Sequence, residues 1–387
     1  MTANSSIQKK LHIWSPNIFG FKGGIQVYLG FFLKALQNSP DNLSAYFFIK
    51  HDFSNQSVSC KFKNTKFYFF GNWPSQLRTL AFANQITSLG MWQRPNLIIS
   101  THLNFLIVAY WLKRLAGIPY WVTVYGIEAW DIERPALKKA LHNADRILSI
   151  SGYTRDRLLK EQNLDPAKIS LLPCTFEASR FNIAPKPAYL LEKYGLKPEQ
   201  PVILTVSRLA AVERYKGYAQ ILEALPQIRQ AIPNVHYIIA GKGDDRPRIE
   251  QLIAQLGLQD CVTLAGFVPD EQLCDYYNLC DLFAMPSKRE GFGIVYLEAL
   301  ACGKPVLGGN QDGAIDALCH GELGALVDPD DIGEIAQTSI QILQKTFPNP
   351  IMYRPEVLRQ RVIEVYGFEQ FKQTLAQYLE EFFASQN

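Results

Sequence analysis

The stretch "SKREGFGIVYLEALACGKPVLGGNQDGAIDAL" (Ser287–Leu318) sets two carboxylates around a glycine-flanked helix start. Glu290 and Glu298 are separated by seven residues, and Gly291-Phe292-Gly293 lies between them. Glycine lets a backbone approach a ligand closely. The first turn of a helix has unpaired N–H groups at the positive end of its dipole, so the amides of Gly291, Phe292 and Gly293 make a seat for a diphosphate. At about 1.5 Å per residue, Glu298 lies roughly 10 Å along the axis from that start, within reach of a ribose. Glu290, in the preceding loop, faces the group beyond the phosphates. This geometry suits a nucleoside-diphosphate sugar.

Outward from this stretch, apolar runs alternate with amphipathic ones, the pattern of parallel sheets covered by helices. Strands are predicted at 11–14, 45–50, 66–70, 96–100, 119–124, 146–150 and 168–172, and again at 202–206, 235–240, 261–265, 281–285 and 305–308. Between the two series, residues 172–201 carry five prolines and no sustained periodicity, which predicts an interdomain linker. The expected architecture is α/β with two doubly wound, Rossmann-like domains, residues 1–187 and 188–365. A last helix, residues 366–387, has helical periodicity.

Composition narrows the class. With 387 residues and 48% apolar content, the chain can build two cores of its own. Seven cysteines, at 60, 174, 261, 274, 280, 302 and 319, are scattered without a C-x-x-C pair. They predict buried free thiols in a reducing compartment rather than a disulfide framework or a zinc site. The start has too short an apolar stretch for a signal peptide, and the longest apolar run, Phe105–Leu112, is well below the ~20 residues that span a bilayer. A cytoplasmic protein is expected. The formal charge of +3 conceals a polarity: residues 1–187 hold 22 Lys/Arg against 10 Asp/Glu, and residues 188–387 hold 17 against 26. The basic stretches 61–70, 111–117 and 134–146 fit three readings: an ordinary solvated face, a nucleic-acid surface, or peripheral contact with an anionic membrane or lipid-linked acceptor. Aromatics beside the lysines and the lack of a compact nucleic-acid motif favour the membrane over nucleic acid.

Glu290-Gly-Phe-Gly, then Leu297-Glu298-Ala-Leu-Ala-Cys-Gly303 and Pro305-Val306, resembles the signature of the retaining glycosyltransferases of family four, the glycosyl transferases of group one. The resemblance covers most of the chain and is most specific in its C-terminal half. It implies a GT-B fold whose domains face each other across a cleft, with the last helix crossing back to the N-terminal domain. It also implies donor binding by the C-terminal domain, acceptor binding by the N-terminal one, and transfer with retention of configuration.

Other segments match the same pattern. "SRLAAVERYKG" (207–217) places Arg208 and Lys216 after a strand, in the positions of the family's paired cations, where they would neutralise a departing diphosphate. Gly241 and Gly243 lie in a glycine-rich strand-to-helix turn, and Phe267-Val268 resembles the segment whose backbone meets the base. In the N-terminal half, Gly23-Gly24 is either a capped turn or a pair of amides that touch donor or acceptor. Tyr125, in "VYGIEAWD" (124–131), stands where the family has a histidine thought to lie near the reacting carbon. A tyrosine still hydrogen-bonds but is a poor general base at neutrality. His102 either supplies an imidazole to the cleft or is structural, and Glu128 either contacts acceptor or stabilises its loop.

No metal is expected. Asp328-Pro329-Asp330 is formally a D-x-D, but a helix cap and turn explain it better. No cofactor is expected beyond the nucleotide-sugar co-substrate. The leading expectation is a metal-independent hexosyltransferase acting on a glycan or lipid-linked acceptor, in polysaccharide or glycolipid assembly, with no nucleic-acid partner. Two rivals stand beside it: a nucleotide-sugar epimerase on the same fold, and a non-catalytic nucleotide-sugar-binding subunit.

Overall fold

The computed structural model describes residues 8–20, 23–37, 43–54 and 64–386. Cys60 and part of the basic stretch 61–70 lie outside the described residues. The chain forms two compact units, one of Met1–Pro173 with Phe371–Asn387 and one of Cys174–Gln370.

The first unit is built on a seven-stranded sheet: β1 (Lys9–Ser15), β2 (Leu43–Ile49), β3 (Thr65–Phe69), β4 (Leu97–Ser100), β5 (Tyr120–Val124), β6 (Arg146–Ser149) and β7 (Ile169–Leu171). Their order is β3-β2-β1-β4-β5-β6-β7, with parallel pairing. Strands covered on both faces read as nearly continuous apolar runs, and all five residues of β5, YWVTV, are buried. Helix Gly24–Gln37 turns Tyr28, Leu29, Phe32, Leu33 and Leu36 inward at helical spacing. The end of the chain completes this unit: Phe371 lies edge-on to Tyr28 (5.4 Å between centroids) and Phe382 edge-on to Trp121 (5.4 Å). Arg146 stacks over Trp121 and Tyr378 and reaches Glu381 at 3.1 Å.

The second unit has six parallel strands: β8 (Val202–Val206), β9 (His236–Ala240), β10 (Val262–Gly266), β11 (Leu282–Met285), β12 (Val306–Gly309) and β13 (Ala325–Val327), in the order β10-β9-β8-β11-β12-β13. Both units are thus doubly wound α/β sheets, each with its first strand inside and the chain winding outward to either side.

The boundaries differ from those read in the sequence. The units divide at Pro173/Cys174 rather than 187/188, and the chain re-enters the first unit at Phe371, within the helix Phe368–Ala384, rather than at 366. Residues 174–187 are held by the second unit's own side chains: Arg359 donates to the carbonyls of Ala178 and Phe181, Asn278 accepts the Ala184 N–H (3.0 Å), and Lys186 meets Asp281 (2.6 Å). The proline-rich segment is therefore packed structure, including a helix at Ala188–Tyr194. Among the described residues no helix is long and apolar enough to cross a membrane.

Candidate active site

In the second unit the direction of winding reverses between β8 and β11. The crevice at the carboxyl ends of these two strands is therefore the switch point where open parallel sheets bind ligands. Two loops meet there. One follows β8 and contains the 3₁₀ helix Ala211–Lys216; the other follows β11 and leads into helix Ile294–Ala301. They are joined backbone to backbone: the Lys288 N–H donates to the Tyr215 carbonyl (3.0 Å), and a Cβ on Gly217 (φ 85°) would overlap the Pro286 carbonyl.

Lys216 and Glu290 form an ion pair between these loops, with side chains only 15% and 16% exposed. Burial pulls the Lys216 pKa down, but the Glu290 carboxylate outweighs it and the net shift is upward, so the ammonium keeps its proton. Arg208 pairs with the buried Glu213 on the same 3₁₀ helix and remains about half exposed. Behind them Asp245, fully buried, accepts from Arg214 Nε (2.8 Å), the Tyr218 hydroxyl (2.8 Å) and Arg248 (2.6 Å). Burial pushes the Asp245 pKa up, but the bonds from Arg248, Tyr218 and Arg214 prevail and hold it at about 2.

Gly293 (φ 92°) caps helix Ile294–Ala301 in the left-handed conformation that glycine tolerates best. Phe292 is buried against Tyr366 (5.3 Å, edge-on), so its side chain belongs to the core and only its amide is available to a ligand. Glu298 accepts the Tyr277 hydroxyl at 2.7 Å, which fixes one of its carboxylate oxygens. Gly241 and Gly243 have a packing role: a Cβ on either would overlap the carbonyl of Ser207 or Leu209, and this close approach docks the loop after β9 on the loop after β8. Phe267 is exposed, with Lys242 Nζ 5.0 Å from its ring centroid, whereas Val268 is buried.

The sequence reading missed Asp312. Its buried carboxyl accepts from the Ser287 hydroxyl (2.7 Å), the Glu290 N–H (2.7 Å) and the Ala314 N–H (2.9 Å). Burial raises its pKa to about 7 despite these bonds. Tyr277, Asp245 and Glu213 were missed as well. The available signal for Asp312 was an Asp-Gly pair in the loop after a strand, which reads first as a turn.

The first unit has its own switch point, between β1 and β4. Gly23 and Gly24 start the helix there; the Gly23 carbonyl accepts the Val27 N–H (3.0 Å), and a Cβ on Gly24 would meet nothing within 4 Å. The loop after β1 is held by the buried Asp52, which accepts from the amides of Ile18 (2.7 Å), Phe19 (2.7 Å) and Gly20 (3.0 Å). His102 caps a 3₁₀ turn through Nδ1, which accepts the Asn104 N–H (3.1 Å). Burial lowers its pKa, so the ring is neutral with its proton on Nε2. Tyr125 is buried, its ring edge-on to Tyr28 (5.5 Å). Glu128 accepts the Tyr125 N–H at 2.5 Å across Gly126 (φ 130°), a contact that favours the loop-stabilising role. Burial raises the Glu128 pKa.

Among the described residues no cluster of three or more His, Cys, Asp or Glu is placed to hold a metal ion. Asp331 caps helix Ile332–Leu343 through the Glu334 N–H (2.9 Å), and the Glu334 carboxylate accepts the Asp328 N–H (2.7 Å). The described cysteines are free; Cys174, Cys261, Cys280 and Cys302 are buried, and Cys274 and Cys319 are partly exposed.

Two family models match the chain. Residues 190–355 match the model of glycosyl transferases group 1, and residues 22–180 match that of glycosyltransferase family 4. A GDP-mannose-dependent alpha-(1-6)-phosphatidylinositol monomannoside mannosyltransferase of Mycolicibacterium smegmatis is 35% identical over 214 residues, 53% of this chain and 54% of that protein. An alpha-D-kanosaminyltransferase of Streptomyces kanamyceticus is 27% identical over 60% of this chain and 64% of its own length. The chain spans about half the length of the first of these curated relatives. A sucrose-phosphate synthase structure from Thermosynechococcus elongatus superposes with a TM-score of 0.79 at 21% identity, covering 97% of this chain and all of that one. Anabaena HepE in complex with UDP and glucose gives 0.77 at 21% identity, covering 96% of this chain and 100% of that one.

Proposed function

Since the chain belongs to the glycosyl transferases of group 1, family 4, and has their GT-B fold, we propose that it transfers a hexosyl group from a nucleoside-diphosphate sugar to a hydroxyl acceptor with retention of configuration. The observation that carries this reading is the Lys216–Glu290 pair at the β8/β11 switch point, beside the amides of Gly291 to Gly293. Lys216 and Arg208 neutralise the diphosphate as the glycosidic bond breaks, and the helix amides receive its oxygens. Glu290 orients the sugar, Glu298 binds the ribose, and the exposed Phe267 stacks on the base. These cations and amides supply the positive charge that a metal would bring, so catalysis proceeds without one.

The first unit takes the acceptor, with Gly23, Gly24 and His102 grouped at its switch point. The mycobacterial relative is named for a phosphatidylinositol mannoside acceptor, which supports a lipid-linked or glycan acceptor here. Peripheral contact with an anionic membrane has support from helices Ser75–Gln93 and Leu106–Ala116. Leu77, Leu80, Met91 and Trp92 lie on the face of the first helix opposite the buried Phe82, Ile86 and Gly90, and Trp111 and Leu115 are exposed beside Lys113 and Arg114 on the second. Co-sedimentation with anionic vesicles at low salt tests this. Full recovery in the supernatant removes it.

The test of the activity is nucleotide release from UDP-, GDP- and ADP-sugars in EDTA, with and without a membrane extract, for wild type and Glu290→Ala. Release from one donor, raised by extract and lost in the variant, is the expected result. Nucleotide binding without turnover indicates a binding subunit, and conversion of donor without acceptor indicates an epimerase.

A further inference from the structure

Helices Asp270–Leu279 and Ile294–Ala301 pack side by side in the second unit, joined where Tyr277 of one donates to Glu298 of the other. Cys274 lies three residues before Tyr277 in sequence, and Cys302 caps the second helix with its N–H on the Glu298 carbonyl (3.2 Å). The two sulfurs are 3.9 Å apart. A disulfide of ~2.05 Å therefore needs them to close by roughly 2 Å.

The two thiols are unequal. Cys274 is partly exposed and Cys302 fully buried, so an oxidant meets Cys274 first and Cys302 is reached through it. The Asn182 N–H and the Asn278 side-chain N–H each donate to Cys274 Sγ at 3.5 Å, whereas the Asn182 side-chain oxygen (3.3 Å) and backbone carbonyl (3.8 Å) lie as acceptors for its thiol. N–H donors of this kind stabilise a thiolate. The hydrogen bond from Cys302 pulls the Cys274 pKa down to about 6, and the same bond together with burial pushes Cys302 up.

We propose that Cys274 and Cys302 are a reversible dithiol/disulfide pair, oxidised by hydrogen peroxide, that tunes the seat of Glu298. The Cys274 thiolate attacks one peroxide oxygen, giving a sulfenic acid and hydroxide, which takes up a proton to become water. Cys302 sulfur then attacks Cys274 sulfur, losing its proton and displacing a second water. Two thiols lose two electrons and one peroxide is reduced to two waters. The closed loop, residues 274–302, contains β11, Glu290, Gly291 to Gly293 and Glu298. Drawing Cys302 toward Cys274 pulls the last turn of the Glu298 helix onto Tyr277 and holds the carboxylate away from a ribose. This consequence rests on the donor-site reading above; bond formation does not.

The experiment treats the full chain with hydrogen peroxide and maps peptides without reduction, then measures UDP, GDP and ADP binding in both redox states. The expected result is a Cys274–Cys302 crosslink that dithiothreitol reverses. Cys274→Ser abolishes it, Cys302→Ser leaves a sulfenic acid on Cys274 that dimedone traps, and nucleotide affinity falls several-fold on oxidation. Sulfinic acid on wild-type Cys274 without a crosslink, a bridge from Cys302 to Cys280, or no reaction at all overturns the pair. A crosslink with unchanged affinity overturns its coupling to Glu298. A crosslink in a chain that binds no nucleotide in either state counts against the donor-site reading alone.

Discussion

The carboxyl of Asp312, buried completely, accepts the backbone N–H of Glu290 at 2.7 Å. The Glu290 carbonyl in turn accepts the Gly313 N–H (2.8 Å), so the loop after β12 holds both sides of the residue proposed to orient the sugar. Asp312 is a positioning residue. Asp312→Ala removes the acceptor of three donors, the Ser287 hydroxyl and the Glu290 and Ala314 N–H groups, and lets the loop shift. Because a misplacement of about 1 Å can cost about 10²-fold, kcat is expected to fall by one to two orders of magnitude, with a smaller change in nucleotide affinity. Asp312→Asn keeps a carbonyl acceptor for Glu290 and is expected to lose less. Single-turnover nucleotide release, compared with equilibrium nucleotide binding, checks the split.

Lys216 and Glu290 satisfy each other in a largely buried setting, so removing either leaves a charge without its partner. Lys216→Ala also removes a cation from the departing diphosphate, and the expected loss in kcat is about 10²–10³-fold. Arg208→Ala likewise takes the cation from Glu213, whose side chain is only 10% exposed, so it too is expected to lose folding stability as well as rate. Steady-state release assays alongside urea unfolding of both variants separate chemistry from folding.

Two glycines bracket the range of expected stability effects. A Cβ on Gly313 would overlap the Gly291 carbonyl, backbone against backbone, so Gly313→Ala must push the two loops apart, at a cost of about 1–3 kcal/mol. Gly30, exposed in helix Gly24–Gln37, has nothing within 4 Å of a built Cβ. Gly30→Ala is expected to stabilise by about 0.4–1 kcal/mol, chiefly by restricting the unfolded chain. Urea midpoints that move in the same direction for both variants would contradict this.

The doubly wound strands were legible because parallel strands buried on both faces leave uninterrupted apolar runs such as YWVTV at Tyr120–Val124. β13 was not: the short run Ala325–Val327 leads straight into Asp328-Pro329-Asp330, which reads first as a turn and helix cap. Glu290, Glu298 and the glycines between them were visible from local spacing. The residues that brace them were not: Asp312 acts on Glu290 from 22 positions away and Asp245 on Arg214 from 31, and nothing local marks a carboxylate whose donors come from another loop. The same physics governed the boundary near 187, where Arg359 and Asn278, far along the chain, decide that a proline-rich stretch is packed. It also governed Tyr125, whose place in the core is set by Tyr28.

Asp312 and Asp245 make opposite contributions to stability as pH changes. Asp312 titrates near 7 in the folded chain against an ordinary 3.8, because burial disfavours its charge. Between these values the native state holds the proton that the unfolded state has lost. Asp312 therefore costs nothing below about pH 4, and its penalty grows as pH rises toward 7, to about 4 kcal/mol. Asp245 titrates near 2 because, against burial, Arg248, Tyr218 and Arg214 bind its charged form. It contributes about 2 kcal/mol above pH 4, lost as pH falls from there toward 2. Together the two carboxyls favour the folded second unit most near pH 4. In urea titrations across pH, wild type minus Asp312→Asn is expected to shrink as pH rises from 4 to 7, and wild type minus Asp245→Asn to shrink as pH falls below 4. A flat difference for Asp312→Asn would mean that its three hydrogen bonds keep the carboxylate ionised at all these pH values, and that they outweigh the burial of its charge.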